Sequence, residues 1–422
     1  MTTTQEETVR AAADAIADRL ASPADVRDLE LKEGWFPQSL AYGAVGVALL
    51  HIERARSGIA SWQRVQDWLS CAADGPAISG DASHLFYGAP ALAFALNAAA
   101  DRPGRYERAL DILDGHVAST TRHRLDRAHA RVDRGELPPL SEFDTIRGLT
   151  GLGALLLRRD ANAELTGAIL SYLVRLTEPI SRAGEVLPGW WSGLAPSGKP
   201  SPAFPEGHAN TGLAHGIAGP LALLSLAARR GITVDGQAEA IGRICAWLDL
   251  WRQDGPAGPW WPYWVTRDEL RSGHGGEGPP RPSWCYGTAG LARAQQLAGI
   301  ATGDAERQRM AENAFACAMA DPGQLKATGD LSLCHGFAGL AHIAQSIAAD
   351  AVTPDLSDCL PRLLAPITQA EPDALVSSLL HPLNGGGDIG LLEGAAGVGL
   401  ALHATQTGTP PISGWNSCFL IN

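Results

Sequence analysis

Residues 332–345 read SLCHGFAGLAHIAQ: a cysteine–histidine pair, a Gly-x-x-Gly, and an apolar run with helical spacing. The glycines decide the fold. Glycine costs about 1 kcal/mol in a helix interior, so a Gly-x-x-Gly opening a helix needs a packing reason. The same frame recurs in LAYGAVGVALL (Gly43, Gly46), LFYGAPALAFAL (Gly88, with Ala91 in the second place) and IRGLTGLGALLL (Gly148, Gly151). It returns in AHGIAGPLALL (Gly216, Gly219), CYGTAGLARAQ (Gly287, Gly290) and LEGAAGVGLAL (Gly394, Gly397). With Gly336 and Gly339 this makes seven copies, separated by 45, 60, 68, 71, 49 and 58 residues. Repeats at such periods signify stacked supersecondary units.

Each copy opens an Ala/Leu-rich segment of helical period, and segments such as ADAIADRLA and ERALDILDGHVAS fill the intervals, so each unit reads as a helix pair. Small residues at the crowded start of an inner helix would let neighbouring helices converge. Seven pairs stack either as an open solenoid or as a closed ring. Near-equal copies and the lack of a polar capping repeat favour closure. The expected fold is all-α, an α/α toroid of seven inner and seven outer helices forming one domain over 1–422. Strand signals are weak, and the Trp-, Gly- and Pro-rich stretches 185–207 and 255–285 read as long loops. The wider spacings between copies two and five leave room for a small inserted subdomain within 100–285.

Composition sets the outer bounds. Of 422 residues, 45% are apolar and 18% charged, which indicates a folded protein with a large core. A net charge of −12 argues against a nucleic-acid partner, because phosphate contacts need clustered Lys and Arg. The start, MTTTQEETVR, lacks the basic and apolar regions of a signal peptide, and no apolar run is long enough to span a bilayer. The expected location is cytoplasmic. The seven cysteines are odd in number and scattered, and they fit no disulfide framework. In a reducing compartment, a cysteine that matters is a ligand or a nucleophile.

The two positions before the first glycine vary from copy to copy. They read Ala41-Tyr42, Phe86-Tyr87, Ile146-Arg147, Ala214-His215, Cys285-Tyr286, Cys334-His335 and Leu392-Glu393. In a ring, equivalent positions share one level around the axis, so His215, Cys285, Cys334 and His335 converge at one end of the central cavity. Two thiolates and an imidazole suit Zn²⁺, with the fourth tetrahedral position open.

The motifs WCYG (284–287), CHG (334–336) and GLAHG (212–216), set on the seven copies, resemble the lanthionine synthetase C family of lanthipeptide cyclases over nearly the whole chain. No dehydratase or kinase-like region precedes them, which resembles the free-standing cyclase of class I pathways. The resemblance implies zinc ligands at Cys285, Cys334 and His335, and an acid/base histidine at His215. It also implies roles for Asp144 in FDTIRGLTG, Arg281 in RPSWCYG, and Tyr286. The implied reaction adds Cys thiols of a dehydrated precursor peptide, leader plus core, to dehydroalanine or dehydrobutyrine, giving lanthionine or methyllanthionine. A separate dehydratase and an exporter are implied partners, with the protein peripheral to the membrane at most and monomeric. The alternative is a non-catalytic relative that binds zinc and a peptide or glutathione-like thiol.

Other residues read more plainly. His342, seven residues beyond His335, reads as packed, and His274 in a glycine loop as solvated. His208 in EGHANTGLAHG reads either as loop structure or as lining the entrance. The clusters GWW (189–191) and GPWWPYW (258–264) read equally as rim packing or as an aromatic wall for a peptide. The mixed-charge run 122–139 reads as a solvated helix, and the remaining cysteines, Cys71, Cys245, Cys317, Cys359 and Cys418, as core or surface residues.

Overall fold

Every copy of the glycine frame begins a helix. In the computed structural model, which describes residues 3–31, 34–182, 184–381 and 387–422, the helices open one or two residues after the first glycine. They are Ala44–Arg56, Ala89–Ala99, Leu149–Arg159, Ala218–Arg229, Thr288–Thr302, Phe337–Asp350 and Ala395–Thr407. Each packs against the next, and the last packs against the first, so the inner ring is closed. These helices are buried on nearly every side; from Ala44 to Ala55 each residue is buried. Such a helix has no face for water and must be enclosed.

The outer helices supply the enclosure. Trp62–Ala72, Glu107–Asp133, Ala163–Leu176, Gln237–Leu250, Ala305–Ala320 and Leu360–Thr368 each pack on the inner helix that precedes them. Their burial is one-sided: Trp62–Ala72 sinks Val65, Trp68, Leu69 and Ala72, the spacing of a single face. The seventh pair joins the two ends of the array, with Thr3–Arg19 packed along Ala395–Thr407. The result is the expected α/α toroid.

The second glycine of the frame does something other than bring helices together. A Cβ at Gly46, Gly151, Gly219, Gly290, Gly339 or Gly397 would press on the carbonyl oxygen six residues earlier in its own copy. At Gly339 that oxygen belongs to Leu333, directly before Cys334. The incoming segment folds back across the first turn of its helix, and glycine is what permits the approach. Neighbouring helices are secondary in this contact.

The stretches read as loops contain short ordered pieces. Ile180–Arg182 pairs with Glu185–Leu187, Gln253–Gly255 with Gly258–Trp260, and His208–Asn210 with Trp264–Thr266, all antiparallel. A short helix, Arg267–Ser272, follows, with Thr266 and Glu269 forming a capping box. Three-residue strands carry too few alternations for a period-two signal, so the sequence pattern passed over them. Trp190, Trp191, Trp260 and Trp261 are buried, so most of both tryptophan clusters serve packing. The run 122–139 is partly the end of the long outer helix Glu107–Asp133.

The interior of the ring is filled by the segment 413–421. Trp415, Cys418, Phe419, Leu420 and Ile421 are buried. The indole N–H of Trp284 donates to the Phe419 carbonyl (2.9 Å), and the Arg293 guanidinium to that of Ile421 (2.9 Å). Arg158 donates to the Ser413 and Gly414 carbonyls, and Trp415 stacks on His342 with centroids 4.7 Å apart. His342 is thus packed, as its place on the inner helix implied.

Candidate metal centre

Cys285 and Cys334 are 49 residues apart in sequence and neighbours in space because of a backbone collar. In every copy but the second, the segment before the inner helix donates an N–H to the carbonyl of the equivalent segment in an adjoining copy. Thr145 donates to Ala214 (3.0 Å), Ala214 to Cys285 (3.3 Å), Cys285 to Cys334 (3.2 Å) and Cys334 to Leu392 (2.8 Å). Leu392 in turn donates to Ala41 (3.4 Å), and Leu40 to Phe86 (2.9 Å). The variable pair of each copy therefore sits at one level of the ring, which is the placement expected from the repeats.

On that level the ligand atoms of Cys285, Cys334 and His335 all lie within 4.8 Å of one another, the span that the donors of a single ion cover. Two sulfurs and one imidazole nitrogen form a donor set that fits Zn²⁺ with one position open. His335 Nε2 lies 3.2 Å from Asp330 Oδ2, which leaves Nδ1 as the nitrogen free for a metal. Asp330 is itself fixed, because its Oδ1 accepts from the Ser332 N–H at 2.8 Å. A carboxylate behind a ligand imidazole sets the tautomer and raises its basicity. The hydrogen bond from Cys334, with help from His335 and Ser283, holds the Cys285 thiol well below its ordinary range. Two cysteines away from the cluster behave otherwise: burial pushes the thiols of Cys245 and Cys359 up to about 11.

Beside the cluster stands a histidine–carboxylate pair. His215 Nδ1 lies 2.7 Å from Asp144 Oδ2, with the His215 side chain 37% exposed and that of Asp144 only 3%. The other oxygen, Asp144 Oδ1, accepts the N–H groups of Arg147 (2.6 Å) and Gly148 (2.7 Å) at the start of an inner helix. Burial opposes the imidazolium of His215, but the hydrogen bond and charge of Asp144 outweigh it, and the His215 pKa is raised.

Tyr286 bridges the two groups: it follows Cys285, and its ring centroid is 6.2 Å from that of His215. Burial pushes its phenol up to about 12, so it is a hydrogen-bond donor at neutral pH. Tyr263 and Trp264, from the second tryptophan cluster, pack on Tyr286 with centroids 5.1 and 6.2 Å away. That edge of the cluster faces the site. Arg281 enters the same group through Tyr263, whose hydroxyl donates to the Arg281 carbonyl at 2.7 Å. Among the described residues the Arg281 guanidinium has no carboxylate partner.

Asp330, Asn210 and His208 are the members that sequence reasoning missed or left open. Asp330 stands four residues before Cys334, outside the variable pair, and only the fold-back of its segment brings it to His335. Asn210 and His208 lie on one of the short strands, both fully buried and so not at the entrance. His274 is exposed, and the other cysteines lie away from the cluster.

Comparison with known proteins agrees with this architecture. Over 61% of this chain, 264 residues, it is 25% identical to the nisin biosynthesis protein NisC of Lactococcus lactis subsp. lactis; the match spans 60% of that relative's length. The solved structure of a nisin cyclase superposes with a TM-score of 0.77 at 20% identity, covering 98% of this chain and 97% of that one. The family model of lanthionine synthetase C-like proteins matches residues 34–420, and with that extent the chain belongs to the lanthionine synthetase C-like family.

Proposed function

We propose that this protein is a zinc-dependent lanthipeptide cyclase, which adds cysteine thiols of a dehydrated peptide to dehydroalanine or dehydrobutyrine and so forms lanthionine or methyllanthionine rings. The observation that carries this reading is the open three-donor cluster of Cys285, Cys334 and His335, with the His215–Asp144 pair and Tyr286 on the same collar. A non-catalytic binding protein has no need of an acid poised beside its metal donors. Relatives named as a nisin biosynthesis protein and a nisin cyclase support the substrate class.

Cys285, Cys334 and His335 would hold the zinc, with Asp330 orienting the imidazole. An ion at these donors would supply the positive charge that lowers the pKa of an incoming substrate thiol, which is otherwise mostly protonated at neutral pH. In the reaction the S–H bond breaks and its proton leaves to solvent. A C–S bond forms to the β-carbon, and the electron pair of the double bond becomes an enolate. Tyr286 and Arg281 donate to that developing oxyanion. The imidazolium of His215, kept charged by Asp144, delivers the proton that completes Cα. Bonds made and broken balance without an oxidant, and the peptide keeps its mass. A cavity of about 610 Å³ lined by His84, Tyr87, Arg124 and Arg147, the last of which donates its N–H to Asp144, offers room for the peptide.

The test combines metal analysis with thiol titration. A peptide holding one dehydroalanine and one cysteine should lose its free thiol without a change of mass, in the presence of protein carrying one zinc per chain. Zinc-loaded protein that binds the peptide and never consumes its thiol would refute the reading.

A further inference from the structure

We propose that Asn210 and His208 are positioning residues for Tyr286: together they hold the phenol oxygen as an acceptor, which leaves the phenolic proton free to point into the site. This rests on the cyclase reading and adds to it a chain of hydrogen bonds behind the oxyanion donor.

The assignment follows from donors and acceptors that have only one sense. The strand His208–Asn210 is fixed on both edges, by Trp264–Thr266 on one side and by the reciprocal His208–Ser192 backbone pair (2.8 and 2.9 Å) on the other. His208 Nδ1 lies 2.9 Å from the Leu194 carbonyl, which can only accept, so Nδ1 carries the proton and Nε2 is a lone pair. Burial keeps this ring neutral, with its pKa pushed down to about 4. The Gly212 N–H, which can only donate, lies 3.0 Å from the side-chain oxygen of Asn210 and fixes the amide's orientation. The amide nitrogen then has two N–H groups to place. One faces His208 Nε2 at 3.4 Å and the other the Tyr286 hydroxyl oxygen at 3.2 Å.

Each group in the chain is thereby satisfied, and among the described residues the one proton of this chain left without a partner belongs to Tyr286. The ring itself is held on its faces and edge by Tyr263, Trp264 and His215. Gly212 contributes space, since a Cβ there would lie 2.7 Å from Tyr286 Cδ1. His208 and Asn210 are wholly buried among aromatics, where polar groups are costly unless they are fully paired. Placing them there makes sense if the end of the chain, the hydroxyl beside Cys285, must point one way.

The test uses the zinc-loaded full chain and Asn210→Asp, which keeps the acceptor for Gly212 and replaces the amide donor by an oxygen. The phenolic proton then turns to the carboxylate and leaves the site. With a peptide holding one dehydroalanine and one cysteine, kcat should fall roughly 10²-fold, the scale of one lost oxyanion donor. KM and zinc content should stay within about twofold. In a Tyr286→Phe background the same substitution should cost nothing more. Wild-type kcat in Asn210→Asp, or an equal loss in both backgrounds, overturns the proposal. A second readout needs no turnover: the tyrosine Raman doublet, taken as wild type minus Tyr286→Phe, should show an accepting phenol oxygen, and a donating one after Asn210→Asp. A donor signature in the wild type overturns the proposal even if the protein proves to be no cyclase. An accepting signature in a protein that consumes no thiol refutes the cyclase reading and keeps the hydrogen-bond assignment, with the catalytic part of the proposal overturned.

Discussion

His215 carries two opposed influences, burial against the imidazolium and Asp144 in favour of it, and the carboxylate prevails. The sign of the pH dependence follows. A raised pKa keeps the acid loaded above the ordinary histidine value of about 6.5, and its contribution is lost as pH rises through the raised value. The alkaline fall of the thioether-forming rate should therefore move to lower pH in Asp144→Asn, where burial loses its main opponent. Rate–pH profiles of both proteins check this, and an unmoved limb would show that another group delivers the proton. The same link stabilises the fold fully below about pH 6.5 and fades above, so Asp144→Asn should lose its stability deficit at high pH. At the cluster, Cys285→Ala or Cys334→Ala should abolish zinc loading. Asp330→Asn, which alters only the partner of a ligand, should weaken zinc about 10–100-fold in chelator competition. His215→Ala should retain zinc and lose roughly 10²–10⁴ in rate. Zinc content measured beside activity separates the three cases.

The element that matters most is the incoming segment folded over the first turn of its helix. At Gly339 an added methyl group meets the Leu333 carbonyl, backbone that cannot turn aside. Gly339→Ala should cost about 1–3 kcal/mol in denaturant unfolding and shift Cys334 with it, so that zinc affinity falls as well. The equivalent Gly151→Ala, in a copy without ligands, should lower stability and spare zinc. The two variants compared show whether the fold-back places the ligand. This element also marks how much was legible in advance. The glycine frame revealed seven helix starts, and the variable pair revealed Cys285, Cys334, His335 and His215, because both recur at a fixed offset that repetition makes visible. The reason for the glycines was misjudged, since sequence spacing cannot distinguish a neighbouring helix from the segment's own carbonyl. Asp330 escaped because it reaches His335 only through that fold-back. Asn210 escaped because a three-residue strand leaves no periodic trace, and its partner Tyr286 is 76 residues away.

At the scale of the whole molecule, the ring differs from an open solenoid in having no end at which to fray. An open array unfolds piecewise from its termini, each unit leaning only on its neighbours. Here the last inner helix packs on the first, and the outer partner of the last is the helix Thr3–Arg19. The segment 413–421 adds a second closure through the middle. The Glu53 carboxylate in the first inner helix accepts from the N–H groups of Ile412 and Ser413 (2.9 and 2.8 Å). Arg158 in the third holds Ser417 at 3.0 Å, Arg293 in the fifth holds Ile421, and His342 in the sixth stacks on Trp415. One segment thus ties together the first, third and fifth inner helices, which are not neighbours in the ring, and through Trp284 and Phe419 it also supports the residue preceding Cys285. Removing the largest of its fully buried side chains should therefore act on the entire ring. Trp415→Ala should cost about 3–5 kcal/mol. In urea its helical circular dichroism and its tryptophan fluorescence should fall in a single shared transition at a lower midpoint. Zinc should be released at that same midpoint, because the collar has no stability apart from the ring that carries it. Early loss of some helices with zinc retained would instead show that the copies near Cys285 and Cys334 fold as a unit of their own.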